Sequence, residues 1–364
     1  MHRKIIIAGG GTGGHIFPAI AIANALRSLE SEIEILFVGA KGRMEMEKVP
    51  QAGYKIEGLD ITGFNRSSLI KNIGLPFKLI KSFFQVKKII AAFKPDAVIG
   101  VGGYSSFPVL KHAQHKGIPT FIHESNSFAG KTNMMVGKNA TKVFVASDGM
   151  EKFFPSERIM ITGNPVRKAI VEETISREEA ITLFGLDPAK TTILAVGGSL
   201  GARSINEALA AQLDAFEKND LQLIWQTGKT NAEEYAALAK SNKNIFINDF
   251  ITQMEKGYAA ADIVISRAGA MAVTELCVTK KPVVFVPYPF AAEDHQTVNA
   301  KHLVDKNAAL MIKDDEANEK LVSTIIQLAN DDRQQRELKE NIGKLAITNA
   351  DEIIAKEILK SIKA

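Results

Sequence analysis

The sequence predicts an α/β protein with two doubly wound domains, each built on a parallel sheet. Short β-branched runs alternate with longer amphipathic runs, and this alternation occurs twice along the chain. The length of 364 residues and the mass of 39.6 kDa are too large for one compact core and suit two domains. Glycine-rich turns follow strands in both halves, as is typical of strand-to-helix connections in such sheets.

The first half of the chain contains five runs that predict buried parallel strands. Two of the stretches between them, Pro18–Leu29 and Pro108–Lys116, have the length and pattern of helices that connect parallel strands. The five predicted strands are Ile5–Ala8, Glu34–Val38, Ala97–Gly100, Thr120–His123 and Lys142–Ala146.

The second half repeats the pattern after a helix-breaking segment. Thr162–Pro165 contains a glycine and a proline, so we expect a domain boundary that separates residues 1–162 from residues 163–347. The amphipathic stretch Asp351–Ile362 is predicted to return to the first domain, which then also includes about residues 348–364. The five strands predicted here are Thr192–Val196, Leu223–Gln226, Asn244–Ile247, Ile263–Ser266 and Val283–Val286.

The composition is that of an ordinary soluble enzyme. Hydrophobic residues make up 46% and charged residues 24%, which excludes disordered, collagen-like and coiled-coil proteins. The single cysteine, Cys277, excludes an intramolecular disulfide and a cysteine-rich zinc module, so we expect a reducing cytoplasm. Residues 5–26 lack charge, but their glycines and proline exclude a membrane-spanning helix, and the apolar run is too short for a signal peptide.

The net charge of +4 is unevenly divided between the two halves. Residues 1–162 contain 21 Lys and Arg against 12 Asp and Glu, whereas the remaining residues contain 24 against 29. The positive excess of the first half indicates an anionic partner, which could be nucleic acid, phosphate groups or a membrane surface.

The glycine-rich turn Gly9–His15 lies between a predicted strand and a predicted helix. Its glycines permit a tight turn and can present N–H groups to an anion at the positive end of the helix dipole. Their spacing also matches the dinucleotide fingerprint, but the second strand ends without the acid that holds a ribose. Lys41 and Arg43 keep an NADP-dependent dehydrogenase open as an alternative, and a tight turn without a ligand is another.

Two further turns, Gly102–Ser106 and Gly197–Ala202, also follow predicted strands. Gly228–Thr230 ends like a P-loop, but Leu223 occupies the position of the required first glycine, which excludes that motif. Several turns suited to phosphate in two similar domains suggest two phosphorylated ligands.

Polar clusters follow three strands at their carboxyl ends, where parallel sheets bind ligands. These clusters are His123–Asn126, Ser266–Met271 and Asp294–Asn299. Glu275 lies early in the helix after the second cluster, where its carboxylate suits either a helix cap or the two hydroxyls of a ribose. The amides of the third cluster suit sugar hydroxyls.

No metal site is predicted. His112 and His115 are three residues apart, but no Asp or Glu lies at ligand spacing from them. The sequence also has no Asp-x-Asp pair to hold a divalent ion on a diphosphate. We therefore expect neither a metal ion nor another cofactor.

The chain carries six motifs in one order, namely Gly11–Ala19, His123–Asn126, Gly163–Arg167, Gly197–Ala202, Ser266–Ala270 and Asp294–Gln296. In that order they closely resemble the bacterial peptidoglycan glycosyltransferases of family 28, which convert lipid I to lipid II. The resemblance extends over essentially the whole chain. It implies transfer of N-acetylglucosamine from UDP-N-acetylglucosamine to the 4-hydroxyl of the N-acetylmuramoyl residue of undecaprenyl-diphospho-N-acetylmuramoyl-pentapeptide (lipid I).

The resemblance also implies a GT-B fold, in which two Rossmann-like domains face each other across a cleft. The first domain would bind the acceptor and the second the donor, and the anomeric carbon would invert without a metal. Carried over by motif, Arg167 and Ser199 would contact the UDP diphosphate. The Ile251 backbone would contact the uracil and Glu275 the ribose. The implied donor set also includes Thr12, Gly13, Gly14, His15, Asn126, Ala270, Met271 and Gln296, and the implied acceptor-diphosphate set is Gly11, Thr12, Gly13, Gly14, Gly102, Gly103 and Tyr104.

His15 is predicted to be the general base for the acceptor hydroxyl, because histidine titrates near neutral pH. The alternative is a structural role in which the ring bonds a backbone carbonyl at the start of a helix. One departure from the family concerns the sugar contacts. The family often has two adjacent glutamines where this chain has His295 and Gln296, or Gln296 and Thr297.

Two other functional classes are weighed against the transferase. A GT-B-fold UDP-N-acetylglucosamine epimerase would grip the same nucleotide sugar but use no lipid. A non-catalytic membrane adaptor is disfavoured, because both domains retain full polar sets at the predicted site.

The stretch Ile61–Pro95 combines seven Lys and Arg with many Leu, Ile and Phe and contains no Asp or Glu. It predicts a peripheral protein that docks on the cytoplasmic face of an anionic membrane through residues 64–94. The alternative is a core-packed helix with a solvated basic face. Nucleic acid is disfavoured because base-reading motifs are absent. The predicted membrane contacts are Lys78, Lys81, Phe83 and Phe84.

Overall fold

The computed structural model describes residues 2–63, 72–239 and 242–362. The chain divides into unit 1, which is Met1–Val166 with Thr348–Ala364, and unit 2, which is Arg167–Ile347. The division lies after Val166 rather than at Thr162. The reason is that the backbone N–H groups of Thr162 and Gly163 both donate to the carbonyl of Val145, at 3.0 and 3.3 Å, which holds this segment on the first sheet.

Unit 1 is built on a sheet of seven parallel strands. The strands are β1 (Lys4–Ala8), β2 (Glu34–Ala40), β3 (Lys55–Leu59), β4 (Ala97–Gly100), β5 (Thr120–Glu124), β6 (Lys142–Val145) and β7 (Ile159–Ile161). Their order in the sheet is β3-β2-β1-β4-β5-β6-β7. The order reverses between β1 and β4, and ligands bind at such a switch point in doubly wound sheets.

Helices cover both faces of this sheet. They are α1 (Gly13–Leu29), α2 (Glu45–Gln51), α3 (Leu75–Phe93), α4 (Ser106–His115), α5 (Lys131–Gly137) and, from the end of the chain, α16 (Ala350–Ser361). Alternation along β1 supplies both layers, because successive side chains of a strand point to opposite faces. Ile5 and Ile7 join a buried cluster with α1 and α16, whereas Ile6 and Ala8 join another with α3 and α4.

Unit 2 repeats the architecture with six parallel strands. They are β8 (Thr191–Val196), β9 (Leu221–Gln226), β10 (Ile245–Asn248), β11 (Ile263–Ser266), β12 (Val283–Phe285) and β13 (Leu310–Met311). Their order is β10-β9-β8-β11-β12-β13, so the switch point lies between β8 and β11. Trp225 is fully buried in its core and donates to Asn206 at 3.0 Å.

Ten α-helices belong to the described part of unit 2, and the core is completed mainly by α8 and α14. The helices are α6 (Lys168–Val171), α7 (Arg177–Leu183), α8 (Arg203–Ala210), α9 (Leu213–Lys218), α10 (Ala232–Ala239), α11 (Met254–Ala260), α12 (Ala270–Thr279), α13 (His295–Val304), α14 (Ala317–Ala329) and α15 (Asp332–Gly343).

All ten strands predicted from the sequence are present, with bounds shifted by a few residues. Three further strands, β3, β7 and β13, were not predicted. The helix predicted near the end of the chain is α16, and it packs against α1 in unit 1. Within the described ranges, no helix is both long enough and apolar enough to cross a bilayer.

Candidate active site

The glycine turn after β1 is closed by backbone contacts that only glycine permits. Gly9, Gly10 and Gly11 have φ values of 138°, 146° and 91°, which disfavour a side chain. The N–H of Gly9 donates to Val38, and that of Gly10 donates to Gly102 at the end of β4. The turn is therefore fixed to both neighbouring strands at the switch point of unit 1.

Glu45, at the start of α2, bonds the backbone of this turn through its side chain. Its carboxylate accepts the N–H groups of Gly11 at 2.9 Å and Ala40 at 3.0 Å, and the residue is 1% exposed. A Cβ added at Gly10 would lie 2.4 Å from the Glu45 carboxyl carbon. The glycine at position 10 thus makes room for a buried acid that the sequence analysis did not single out.

The prediction that the whole turn offers bare N–H groups to an anion is only partly right. The N–H groups of Gly9, Gly10 and Gly11 are all used within unit 1. Those of Gly13 and Gly14 open α1 and have no helical partner, because the first N–H groups of a helix lack one. The positive end of α1 is therefore the part of the turn that can hold an anion.

His15 is oriented by the carbonyl of Gly10, which lies 3.0 Å from its Nδ1. A carbonyl oxygen only accepts hydrogen bonds, so Nδ1 carries the proton in the neutral ring. Nε2 then keeps its lone pair, and within the described residues it makes no hydrogen bond. It lies beside Gly102, where an added Cβ would be 2.8 Å away. The bond to the carbonyl is the structural role considered for His15, and it is compatible with the general-base role, which stays a prediction.

The second turn of unit 1 brings Tyr104 to the same edge of the sheet. Gly102 and Gly103 have φ values of 100° and 83°, and the Tyr104 hydroxyl accepts from Arg43 Nε at 3.0 Å. Lys41 is paired with Asp60 at 2.8 Å. The two cations that left an NADP site open thus have partners inside unit 1.

Glu124, at the end of β5, organises the loop that carries Asn126. Its buried carboxylate accepts the N–H groups of Asn126 and Gly130 and the side-chain amide of Asn133, at 3.1, 2.9 and 2.8 Å. These three donors leave the Glu124 side chain little freedom. Glu124 therefore positions the loop.

Ser125 connects that loop to the start of α1. Pro18 has no N–H to give the carbonyl of Gly14, and the Ser125 hydroxyl lies 3.5 Å from that carbonyl. Ser125 is also 3.4 Å from Nδ1 of His123, which is fully buried. Burial lowers the pKa of His123 to about 4, so this ring is neutral at physiological pH.

In unit 2, a cavity of about 960 Å³ opens beside the turn Gly197–Gly201. It is lined by Ser199 from that turn, by Ser266 and Gly269 after β11, and by Gln296 at the start of α13. The sequence motifs after β8 and β11 therefore meet at the switch point of this sheet, where doubly wound sheets bind ligands.

Arg167 and Glu275 contact each other in unit 2. Arg167 Nε donates to Glu275 at 2.9 Å, and the Tyr258 hydroxyl donates to the other carboxylate oxygen at 3.1 Å. Burial and the neighbouring Glu275 carboxylate raise the pKa of Tyr258 well above its usual value. Glu275 is 7% exposed, so its carboxylate is held in one orientation by two donors. Tyr258 is a site residue that the sequence analysis missed.

Three other predicted donor residues lie at helix starts. Ala270 and Met271 begin α12, whose first N–H groups lack helical partners. Gln296 accepts the N–H of Tyr288 at 3.0 Å through Oε1, and within the described residues its Nε2 has no partner. His295 bonds the carbonyl of Ala292 through Nδ1, at 2.6 Å, which ties the ring to the turn before its helix.

Ile251 is buried, and its N–H donates to the Gln226 side chain at 2.9 Å. Because the N–H of Ile251 is already used, the predicted backbone contact to uracil has to be made by the Ile251 carbonyl as an acceptor. Arg267 was not predicted to have a role. It donates to the carbonyl of Val286 and to Asp314, and so ties the ends of β11 and β12 to the cavity wall.

The described residues contain no group of three or more His, Cys, Asp or Glu side chains that could hold a metal ion.

The helix α3 presents an apolar strip on its outer side. Phe77, Ile80 and Phe84 are 75%, 56% and 63% exposed, whereas Val86 and Ile90 pack on the opposite side against the sheet. The spacing of three and four residues places the exposed three on one helix face.

Three of the four predicted membrane contacts have partners inside unit 1. Lys78 donates to the Thr62 hydroxyl at 3.4 Å. Phe83 is half-buried and makes an edge contact with Phe107, with ring centroids 6.2 Å apart. Lys81 pairs with Asp60 at 2.9 Å, and bonds from Lys41 and Lys81 lower the pKa of Asp60 to about 2. Asp60 lies just before the acid-free stretch, so the sequence window missed it. Residues 64–71 of the predicted contact lie outside the described residues.

Comparison with protein families finds two adjacent domain matches. The glycosyltransferase family 28 N-terminal domain matches residues 5–145, and the family 28 C-terminal domain matches residues 192–357. A relative from Phocaeicola vulgatus is 53% identical and one from Bacteroides thetaiotaomicron is 51% identical, over 98% and 99% of this chain and 96% and 98% of their own. Both are named "UDP-N-acetylglucosamine--N-acetylmuramyl-(pentapeptide) pyrophosphoryl-undecaprenol N-acetylglucosamine transferase".

Solved structures give the same fold. The crystal structure of Acinetobacter baumannii MurG is 31% identical, covers 98% of this chain and 99% of its own, and has a TM-score of 0.80. UDP-GlcNAc 2-epimerase from Neisseria meningitidis, bound to UDP-GlcNAc, is similar with a TM-score of 0.68 over 98% of this chain and 100% of its own. At 13% identity the epimerase likeness concerns the fold alone.

Proposed function

Because this chain belongs to glycosyltransferase family 28, we propose that it transfers N-acetylglucosamine from UDP-N-acetylglucosamine to lipid I, which gives lipid II. The observation that carries the proposal is the 53% identity, over 98% of the chain, to a relative named for this transfer. The geometry of each unit supports the proposal. Unit 1 holds the oriented ring of His15, and unit 2 holds the cavity beside the turn Gly197–Gly201.

Unit 2 binds the donor in this proposal. Ser199 and the turn amides face the diphosphate, and Arg167 adds a guanidinium that suits phosphate oxygens. Glu275 accepts from the ribose hydroxyls, and the free carbonyl of Ile251 accepts from the uracil. Nε2 of Gln296 contacts the sugar, together with Ala270 and Met271 at the start of α12.

Unit 1 binds the acceptor. The unpaired N–H groups at the start of α1, together with Gly102, Gly103 and Tyr104, hold the acceptor diphosphate at the positive end of the helix. The 4-hydroxyl of N-acetylmuramic acid attacks the anomeric carbon from the side opposite UDP. Its proton passes to Nε2 of His15, the new glycosidic bond forms, and UDP leaves with the electron pair of the broken bond.

Unit 1 also docks on the cytoplasmic face of the cell membrane as a peripheral protein. The exposed strip Phe77, Ile80 and Phe84 would enter the headgroup region, while Lys78 and Lys88 face anionic lipid. A lipid-linked acceptor requires such access to the membrane surface.

The test separates transfer from epimerisation. The purified chain is incubated with UDP-N-acetylglucosamine labelled in the sugar, with and without a detergent-dispersed lipid I analogue, in buffer that contains EDTA. We expect label to move to the lipid fraction only when the acceptor is present. Label that remains in the nucleotide sugar as UDP-N-acetylmannosamine, without acceptor, would refute the proposal in favour of the epimerase. Transfer that needs added Mg²⁺ or Mn²⁺ would refute its metal-free mechanism alone.

A further inference from the structure

Two loops that the proposed function assigns to the donor lie on either side of the segment Thr227–Lys229. The N–H of Gly228 donates to Asp249 at 3.0 Å, and that of Lys229 donates to Ser199 at 3.3 Å. A Cβ added at Gly228 would lie 1.9 Å from the Gly201 nitrogen, so the backbones are in direct contact. The segment Thr227–Lys229 thus bonds both the glycine turn and the loop that ends at Ile251.

Gln226, the last residue of β9, joins the same two loops through its side chain. Its Oε1 accepts the N–H of Ile251 at 2.9 Å, and its Nε2 donates to the carbonyl of Gly198 at 3.3 Å. The residue is 2% exposed, so it does not reach the cavity. The amide orientation follows from its partners, because an N–H only donates and a carbonyl only accepts.

We infer that Gln226 is a positioning residue that sets the spacing between the uracil and diphosphate subsites. The bond from the N–H of Ile251 fixes the position of that residue's backbone, whose carbonyl is the acceptor assigned to the base. The bond to Gly198 holds the residue next to Ser199 in the phosphate turn. This inference rests on the proposed function, since it takes both loops as parts of one donor site.

The two ends of the side chain can be tested separately. Gln226→Glu keeps an oxygen for the N–H of Ile251 but places a second oxygen against the carbonyl of Gly198. Gln226→Met retains the length of the side chain and loses both bonds. The two variants therefore distinguish the diphosphate side of the site from the uracil side.

We expect Gln226→Glu, assayed at pH 8, to raise the KM for UDP-N-acetylglucosamine and the inhibition constant of UDP by about tenfold, the effect of about one lost hydrogen bond. The kcat should stay within about twofold of the wild-type value, because Gln226 touches no reacting group. The inhibition constant of uridine should change little in Gln226→Glu and rise in Gln226→Met.

Gln222→Glu is the matched control. Gln222 is also fully buried on β9, near the amino end of the strand, where it bonds both backbone groups of Asp187 at 3.0 and 2.8 Å. Both Glu variants should lower the Tm, but only Gln226→Glu should raise the KM for the donor. An equal rise in both variants would mean that the effect is general destabilisation, and the inference would fall.

An unchanged UDP inhibition constant in both Gln226 variants would also overturn the inference, as would equal losses of UDP and uridine binding in Gln226→Glu. Failure of the proposed function looks different. In that case the wild-type chain itself would not transfer the sugar to the acceptor.

Discussion

His15 combines a structural bond with a free ring nitrogen, so its replacement should affect chemistry more than binding. We expect His15→Ala to lower kcat by about 10²–10⁴-fold, the usual contribution of a positioned general base. The dissociation constant of UDP, measured by calorimetry, should hardly change, because UDP is assigned to unit 2. His115→Ala, at the end of α4, is the matched histidine control. A loss in kcat of less than about fivefold would leave His15 with only its bond to Gly10.

The Glu275 carboxylate accepts hydrogen bonds from Arg167 and Tyr258, so two substitutions are needed to separate its role in binding from its role in stability. Glu275→Gln retains the shape of the side chain and should weaken UDP binding by about 1–3 kcal/mol, because the charged acceptor for the ribose is lost. Glu275→Ala should in addition lower the free energy of unfolding, since the buried Tyr258 hydroxyl loses its partner. Calorimetry with UDP and urea denaturation separate these effects. Unchanged UDP affinity in both variants would remove Glu275 from the ribose site.

The buried ring of His123 makes stability depend on pH. Its pKa is about 4 in the folded chain, below the ordinary value of 6.5, so the unfolded chain binds the proton first as the pH falls. The free energy of unfolding should therefore decrease between about pH 6.5 and pH 4, by about 3 kcal/mol for this group. Urea denaturation of the wild type and of His123→Gln at several pH values checks this. Identical slopes against pH in the two proteins would contradict it.

At the residue scale, the sequence predicted the residues that lie in local motifs and missed the residues that contact those motifs from distant positions in the chain. His15, Ser199 and Glu275 stand in motifs that can be recognised from neighbouring residues. Glu45 and Gln226 have no such motif, because their roles depend on contacts with residues 25 or more positions away. Such contacts are set by the packing of the sheet, which spacing along the chain does not reveal.

At the scale of elements, α3 has the apolar outer strip that membrane docking requires. We expect wild-type protein to float with vesicles of phosphatidylglycerol and the triple variant Phe77→Ser, Ile80→Ser, Phe84→Ser to float much less. These three side chains are the most direct choice because Phe83 and Lys81 have partners within unit 1. The amount of protein in the top fraction of a sucrose gradient is the measurement.

The matched control removes three exposed apolar side chains elsewhere, in Met135→Ser, Leu183→Ser, Leu238→Ser, which are 63%, 59% and 53% exposed. This variant should float like the wild type. Equal flotation of the α3 variant and the control would show that α3 is not the membrane contact.

Strand prediction succeeded for the strands inside both sheets. The three strands that it missed all lie at sheet edges, although one edge strand, β10, was predicted. The central strands are continuous apolar runs, which a parallel sheet covered by helices requires. By contrast, β3 alternates Lys55 and Glu57 with less polar residues, and β13 has only two residues. Both lie at sheet edges, where a strand is partly exposed to solvent and does not need the continuous apolar run that identifies a buried strand. The short strand β7 is also at an edge.

At the scale of the molecule, the predicted fold class and the glycosyltransferase activity are confirmed by the two family 28 domains and by relatives about 50% identical over nearly the whole chain. The site assignments and the membrane contact stay predictions. The order of six motifs was sufficient for the family, because they lie at carboxyl ends of strands, where the chemistry of this fold resides.

The two separate cores make a domain-resolved stability test possible. Ile358 of α16 is fully buried in unit 1, so Ile358→Ala should lower the stability of that unit by about 2–5 kcal/mol. The single tryptophan, Trp225, lies in unit 2. In urea, the circular dichroism transition should therefore gain an earlier phase, while tryptophan fluorescence keeps its midpoint. Lys356→Ala, exposed on the same helix, should change neither. A matching shift in fluorescence for Ile358→Ala would contradict independent cores.

The return of α16 to unit 1 also reverses the usual order of events on the ribosome. Domains generally fold in the order in which they are synthesised. Here Ile354, Ala355, Ile358 and Leu359 complete the core that contains the first strand, and they are made after all residues of unit 2. Unit 2, which is continuous in sequence, has all its residues outside the ribosome first. The first half thus stays incomplete until α16 has been made, and a chain cut short before Ala350 is defective in its amino-terminal half, far along the sequence from the cut.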